Sequence, residues 1–190
     1  RSGLATLAFQ ASGVEGLKVR ITAKAPDALA ADAIIAQEER NVREILGSYV
    51  FGIDEQTMES VVLDLLRERG WTLGVAESLT GGLVGARLAA IPGASEVFRG
   101  SVVAYSSEVK FDLLGVPEGP VVTEAAAKAM AEGARKYLKA DVGLAVTGVA
   151  GPAEQEGQPV GTVYLGIAMP GISDARWARM PGDRNRIREY

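Results

Sequence analysis

The chain contains no histidine and no cysteine. Disulfides and thiolate chemistry are therefore excluded, and so are imidazole bases and the commonest zinc and iron ligands. A hydroxyl nucleophile in such a chain must hand its proton to Lys, Glu, Asp, Tyr or an activated water. Composition leaves a carboxylate-bound Mg²⁺ open, but neither a metal nor a cofactor is expected. Long apolar runs are also lacking: none approaches the roughly 18 to 20 residues of a membrane span. The opening Arg1-Ser2-Gly3 has neither an initiator Met nor a signal-peptide pattern. A cytoplasmic protein without membrane contact is expected, with an upstream part missing. Basic excess is absent as well. Twenty Lys and Arg stand against 24 Asp and Glu, a net charge of −4, which argues against a general nucleic-acid surface because phosphate backbones are bound by clustered cations.

What is present is enough apolar material, 47% of 190 residues, for a packed core and two domains. Leu4 to Gln10 and Leu17 to Ala25 are apolar-rich or alternating, with a turn-rich link from Ala11 through Ser12 to Gly16, and predict a hairpin. Pro26-Asp27 signals a helix start, and apolar positions from Leu29 to Ile45 carry the helix to a stop at Gly47. Tyr49 to Ile53 reads as a strand. The opening 54 residues are thus expected to form a small α+β unit of β-β-α-β order. A KH-like RNA-binding reading would require a G-x-x-G loop between helices, and none lies between Gly16 and Gly47.

From residue 55 onward the pattern changes. Met58, Val61, Val62, Leu65 and Leu66 form a helical stripe, Trp71 to Val75 a strand, and a helix runs to about Ala90 before Pro92-Gly93. A strand over Ser101 to Tyr105, a short helix over Val109 to Leu114 and a helix from Glu124 capped by Thr123 follow. Val142 to Val146 reads as a buried strand, and Gly161 to Ala168 with Arg176 to Met180 as a hairpin. Asp183 opens a last helix. This α/β alternation before a terminal hairpin predicts a three-layer α/β/α sandwich with a mixed sheet.

Four stretches can carry chemistry. Ala76-Glu77-Ser78-Leu79-Thr80-Gly81-Gly82 turns a strand into a helix and offers the hydroxyls of Ser78 and Thr80 beside the unpaired amides of a helix start. Such a corner suits a phosphate or an oxyanion. Tyr105-Ser106-Ser107-Glu108-Val109-Lys110 ends the next strand, and Lys110 is a base once burial or a neighbouring cation lowers its pKa. Ser107 and Lys110 also match Ser-x-x-Lys, so Ser107 rivals Ser78 as nucleophile. Thr147-Gly148-Val149-Ala150-Gly151-Pro152 closes a third strand with a glycine-rich loop. Pro181-Gly182-Asp183-Arg184-Asn185-Arg186 places two arginines behind a helix start, a workable phosphate clamp.

In this order the motifs, together with Pro159-Val160-Gly161-Thr162-Val163-Tyr164, resemble the CinA family. Residues 55–190 are similar to its C-terminal domain, the PncC-type nicotinamide mononucleotide deamidase, with the last helix cut short. Residues 1–54 are similar to the small KH-type linker domain of long CinA proteins. Those proteins carry a further N-terminal domain to which ADP-ribose pyrophosphatase activity is attributed. The position of Ser107 is more often Asn in the family.

The resemblance implies hydrolysis of nicotinamide mononucleotide to nicotinic acid mononucleotide and ammonia, by a homodimer. In the mechanism it suggests, Ser78 attacks the carboxamide carbon, Lys110 exchanges the proton and Tyr105 orients one of them. Amides near Thr80, Gly81 and Gly82 hold the oxyanion, and Ser106, Thr147, Gly148 and Arg184 contact the ligand, Arg184 at its phosphate. A different class of reading is a regulatory module that binds a nucleotide without turning it over. Direct DNA binding is a third, and the acidic balance opposes it.

Overall fold

The computed structural model describes residues 4–11 and 13–189. Arg1, Ser2 and Gly3, Ser12 in the expected hairpin turn, and Tyr190 lie outside the described residues. The chain divides into two compact units, Arg1–Val61 and Val62–Tyr190.

In the first unit, strands β1 (Ala5–Ala11) and β2 (Leu17–Ala23) form an antiparallel hairpin with Ala5 opposite Ala23 and Leu7 opposite Ile21. Helix α1 (Ala28–Leu46) follows. The Asp27 carboxylate accepts from the Ala30 amide at 2.8 Å, and Gly47 closes the helix with a positive φ of 54°. The strand expected over Tyr49 to Ile53 is not formed. Gly47–Tyr49 makes a 3₁₀ turn, and the Val50 amide donates back to the Gly47 carbonyl. The Ile53 amide donates to the Gln56 side-chain oxygen, and the Gln56 backbone amide donates to the Ile53 carbonyl. Backbone groups that a ladder would use are taken locally, so the unit is a hairpin and a helix. None of its described residues is buried, and Phe9 and Leu29 are largely exposed.

Helix α2 (Met58–Arg69) begins in the first unit and continues into the second. It buries Leu63 and Leu66, whereas Met58 and Leu65 of the expected stripe are exposed. Beyond it come β3 (Leu73–Glu77), α3 (Leu83–Ala89), β4 (Phe98–Val103), α4 (Ser107–Leu114), α5 (Glu124–Tyr137), β5 (Val142–Gly148), the hairpin β6 (Thr162–Met169) with β7 (Ile172–Arg179), and α6 (Arg184–Glu189). One five-stranded sheet has the order β4-β3-β5-β6-β7. The first three strands are parallel and the last two antiparallel to their neighbours.

Every residue of β3 is buried, as a central strand covered on both faces requires. On one face, Leu73 and Val75 pack with Leu63, Leu66 and Leu88 of α2 and α3. On the other, Ala76 and Ala145 pack with Met130, Ala131 and Ala134 of α5 and Leu114 of α4. The second layer is close because it is built from small residues: a Cβ on Gly143 of β5 would lie 1.9 Å from the Ala131 carbonyl oxygen. The fold is the expected α/β/α sandwich with a mixed sheet, preceded by a small α+β unit. No helix among the described residues is long and apolar enough to cross a membrane.

Candidate active site at the ends of β3 and β5

Side chains alternate across a strand, so consecutive residues at the end of β3 serve opposite layers. Glu77 turns towards α3 and Ser78 towards the side of α4 and α5. That crevice lies beyond the carboxyl ends of β3 and β5, the end of the strands at which ligands usually bind in open α/β sheets. A cavity of about 330 Å³ occupies it, and its lining includes Ser78, Leu79, Lys110, Thr147, Gly148 and Arg184. Tyr105, Ser107, Val121 and Val122 also face it.

Ser78 is 9% exposed, and its amide donates to the Val146 carbonyl at 2.9 Å. Its hydroxyl has no hydrogen-bond partner among the described residues. Lys110 is only 1% exposed, with Nζ donating at 3.3 Å to the carbonyl oxygens of both Tyr105 and Ser106. No carboxylate pairs directly with that amine in a salt bridge among the described residues. Burial therefore lowers the Lys110 pKa below the usual lysine value, against weaker opposing pulls from Glu156 and Glu108. An amine held this way supplies a larger neutral fraction near pH 7 than an exposed lysine does.

The Thr-Gly-Gly corner is differently employed from the expectation. Glu77, fully buried, accepts through Oε2 from the Thr80 hydroxyl at 2.7 Å, the Gly82 amide at 2.9 Å and the Val84 amide at 3.0 Å. Its Oε1 accepts from the Gly85 amide and the Ser101 hydroxyl. The Gly81 amide goes to the Ser78 carbonyl. The Thr80 hydroxyl and the Gly81 and Gly82 amides are thus spent on the protein, and none of these three residues lines the cavity. The unpartnered amides of the turn are those of Leu79 and Thr80, directly after Ser78.

Other expected residues also turn out to be builders. Ser106 caps α4 through its hydroxyl, which accepts from the Val109 amide. The Thr147 hydroxyl donates to the Val121 carbonyl at 2.8 Å, and Gly148 is small because a Cβ there would lie 2.4 Å from the Thr162 carbonyl oxygen. The Tyr105 hydroxyl accepts from Arg184 and does not reach Lys110, which instead meets the Tyr105 carbonyl. Ser107 shares the cavity wall with Ser78, so position alone leaves both serines facing the ligand space.

Three contributors escaped the sequence reading. Glu77 could have been noticed as a charged residue ending a strand otherwise fully apolar. Glu156, in a surface turn, pins the cavity wall by accepting from the Val121 and Val122 amides, both at 2.9 Å. Arg188 of α6 donates to the Leu79 and Thr80 carbonyls at 3.1 and 3.3 Å. Neither of the last two has a local sequence signal. A larger hollow, about 630 Å³ between the end of α5 and the β6–β7 turn, holds none of the motif residues.

The second unit is thus a mixed-sheet α/β/α sandwich that carries, on one cavity wall, a serine hydroxyl without a hydrogen-bond partner and a buried amine without a carboxylate partner among the described residues. The chain belongs to the CinA family: the CinA C-terminal domain matches residues 55–190, and the damage-inducible protein CinA KH domain matches residues 1–52. A CinA-like protein of Frankia casuarinae is 50% identical over 195 residues, covering 100% of this chain and 45% of that protein. A putative competence-damage inducible protein of Caldicellulosiruptor saccharolyticus is 42% identical, covering 97% and 46%. The chain therefore spans about half the length of these relatives. Among solved structures, the competence/damage inducible protein CihA from Agrobacterium tumefaciens superposes with a TM-score of 0.65 at 32% identity, covering 69% of this chain and 84% of that one. The competence damage-inducible protein A from Klebsiella pneumoniae gives 0.65 at 33% identity, covering 67% and 83%.

Proposed function

We propose that the second unit is an amidohydrolase that converts nicotinamide mononucleotide to nicotinic acid mononucleotide and ammonia. The observation that carries this reading is the joint presence of Ser78, with a free hydroxyl, and Lys110, with a depressed pKa, on one cavity wall. Neutral Lys110 takes the Ser78 proton as Oγ attacks the carboxamide carbon. The Leu79 amide, free and next to Ser78 on the cavity wall, receives the oxyanion in place of the Gly82 amide that Glu77 occupies. The tetrahedral intermediate collapses with loss of ammonia, which takes the proton from Lys110, and leaves an acyl ester on Ser78. Water, deprotonated by Lys110, then releases the carboxylate product and restores the hydroxyl.

The cavity volume lies at the lower end of the range for small-ligand sites, roughly 300 to 1,000 Å³, and so suits a mononucleotide better than a dinucleotide. Arg184 at the rim supplies the positive charge for the phosphate. The test is ammonia release from nicotinamide mononucleotide by the 190-residue chain and by Ser78→Ala. Release by the parent and its loss in the variant support the reading; equal release by both refutes it.

A further inference from the structure

Glu77 is a carboxylate with no exposed surface and no cation paired to it among the described residues. A buried charge of this kind is tolerated only when its hydrogen bonds are complete. Here they are, since its two oxygens accept from Thr80, Gly82, Val84, Gly85 and Ser101. Four of these donors lie just after Ser78 in the chain, and the fifth lies on β4. The carboxylate therefore ties the turn that begins at Ser78 to the neighbouring strand from within the core.

The same turn is held at two further places. The Ser78 amide is fixed to β5 through the Val146 carbonyl, and Arg188 holds the Leu79 and Thr80 carbonyls. Between these anchors the Ser78 hydroxyl and the amides of Leu79 and Thr80 alone stay unbonded. We propose that Glu77 is a positioning residue for the nucleophile: its buried carboxylate fixes the turn so that the Ser78 hydroxyl faces the cavity with the free Leu79 amide beside it. The inference rests on the reading of Ser78 as nucleophile. Ligand-contacting walls built from β5 and α6 do not depend on Glu77, so its loss should act on the chemical step rather than on binding.

Glu77→Gln preserves volume but cannot satisfy the site. An amide nitrogen in the Oε2 position faces the Gly82 and Val84 N–H groups, and in the Oε1 position it faces that of Gly85. The experiment uses the 190-residue chain and reads two things: the rate at which a fluorophosphonate probe modifies Ser78, located by mass spectrometry, and kcat and KM for ammonia release. The expected result for folded Glu77→Gln is labelling and kcat each slowed about 10- to 100-fold, with KM within threefold of the parent, as a displacement on the order of 1 Å at a reacting group produces. Labelling at the parental rate overturns the proposal while leaving Ser78 as nucleophile. Parental labelling at Ser78 without ammonia release sinks the deamidase reading instead, and the labelling comparison still decides the role of Glu77. A parent chain that neither labels nor turns over overturns both. Should Glu77→Gln fail to fold, Thr80→Val removes one tie from the turn to the carboxylate at constant volume, and an unchanged labelling rate in that variant overturns the proposal.

Discussion

Arg184 donates through Nη2 to the Tyr105 hydroxyl at 2.7 Å, across a separation of 79 positions in the chain, while its Nη1 meets the Gly151 carbonyl. The guanidinium thus spans the cavity rim between the end of β4 and the loop after β5. In the proposed reaction, the substrate phosphate would replace these neutral acceptors with an anionic one on a guanidinium that can bind it through two parallel N–H groups.

Arg184→Ala is expected to raise KM for nicotinamide mononucleotide about tenfold with kcat within threefold, since a charged hydrogen bond is worth roughly 1.5 to 3 kcal/mol. Tyr105→Phe should leave kcat within about threefold, because Lys110 touches the carbonyl of that residue and not its phenol. Steady-state ammonia release with both variants checks this.

The two serines on the wall are separable by substitution. Ser78→Ala should lower kcat at least about 10³-fold, the scale on which nucleophile loss is felt, and Ser107→Ala should stay within about threefold of the parent. A burst of ammonia with trapping of an acyl-peptide, mapped by mass spectrometry, gives the same assignment independently.

Lys110 acts as a base only when neutral, so kcat/KM should rise with pH through its depressed pKa and level off below the usual lysine value of 10.5. The stability effect has the opposite cost. Folding lowers this pKa, so the unfolded chain binds the proton more tightly. The lysine therefore destabilises the fold below its folded pKa, and the penalty fades as pH rises towards 10.5. Lys110→Met should abolish turnover yet resist urea better than the parent at pH 6, with the advantage shrinking by pH 10.

Gly143 lies where α5 meets the sheet, and Gly143→Ala forces a methyl to within 1.9 Å of the Ala131 carbonyl oxygen unless the helix moves. A loss of about 3 kcal/mol is expected, at the upper end of ordinary overpacking. Urea unfolding monitored by circular dichroism measures it.

Much of the second unit was legible because its signals are local. Thr123 caps α5 as its position suggested, and glycine at 148 ends β5. Strand and helix alternation gave the sandwich, while the edges of β3 and β4 differed by a few residues, since the ladder partner across the sheet sets where pairing stops. In the first unit, the apolar run Tyr49 to Ile53 read as a strand because periodicity cannot see that Gln56 captures the Ile53 amide. On α2 the buried positions proved to be Leu63 and Leu66, which depends on the angle at which the helix lies on β3.

By itself the sequence determined which chemistry is closed to the protein: without histidine or cysteine there is no imidazole base and no thiolate, and its motifs carried the family resemblance. Tertiary structure alone decided the division of labour inside them. Alternation at the end of β3 sends Glu77 into the core and Ser78 to the cavity, so the Thr80 hydroxyl and the Gly82 amide serve a buried carboxylate and the Leu79 amide is left free on the cavity wall. Only folding could settle this, because a hydrogen-bond donor has one partner at a time and the choice depends on which acceptor the packed strand brings nearest.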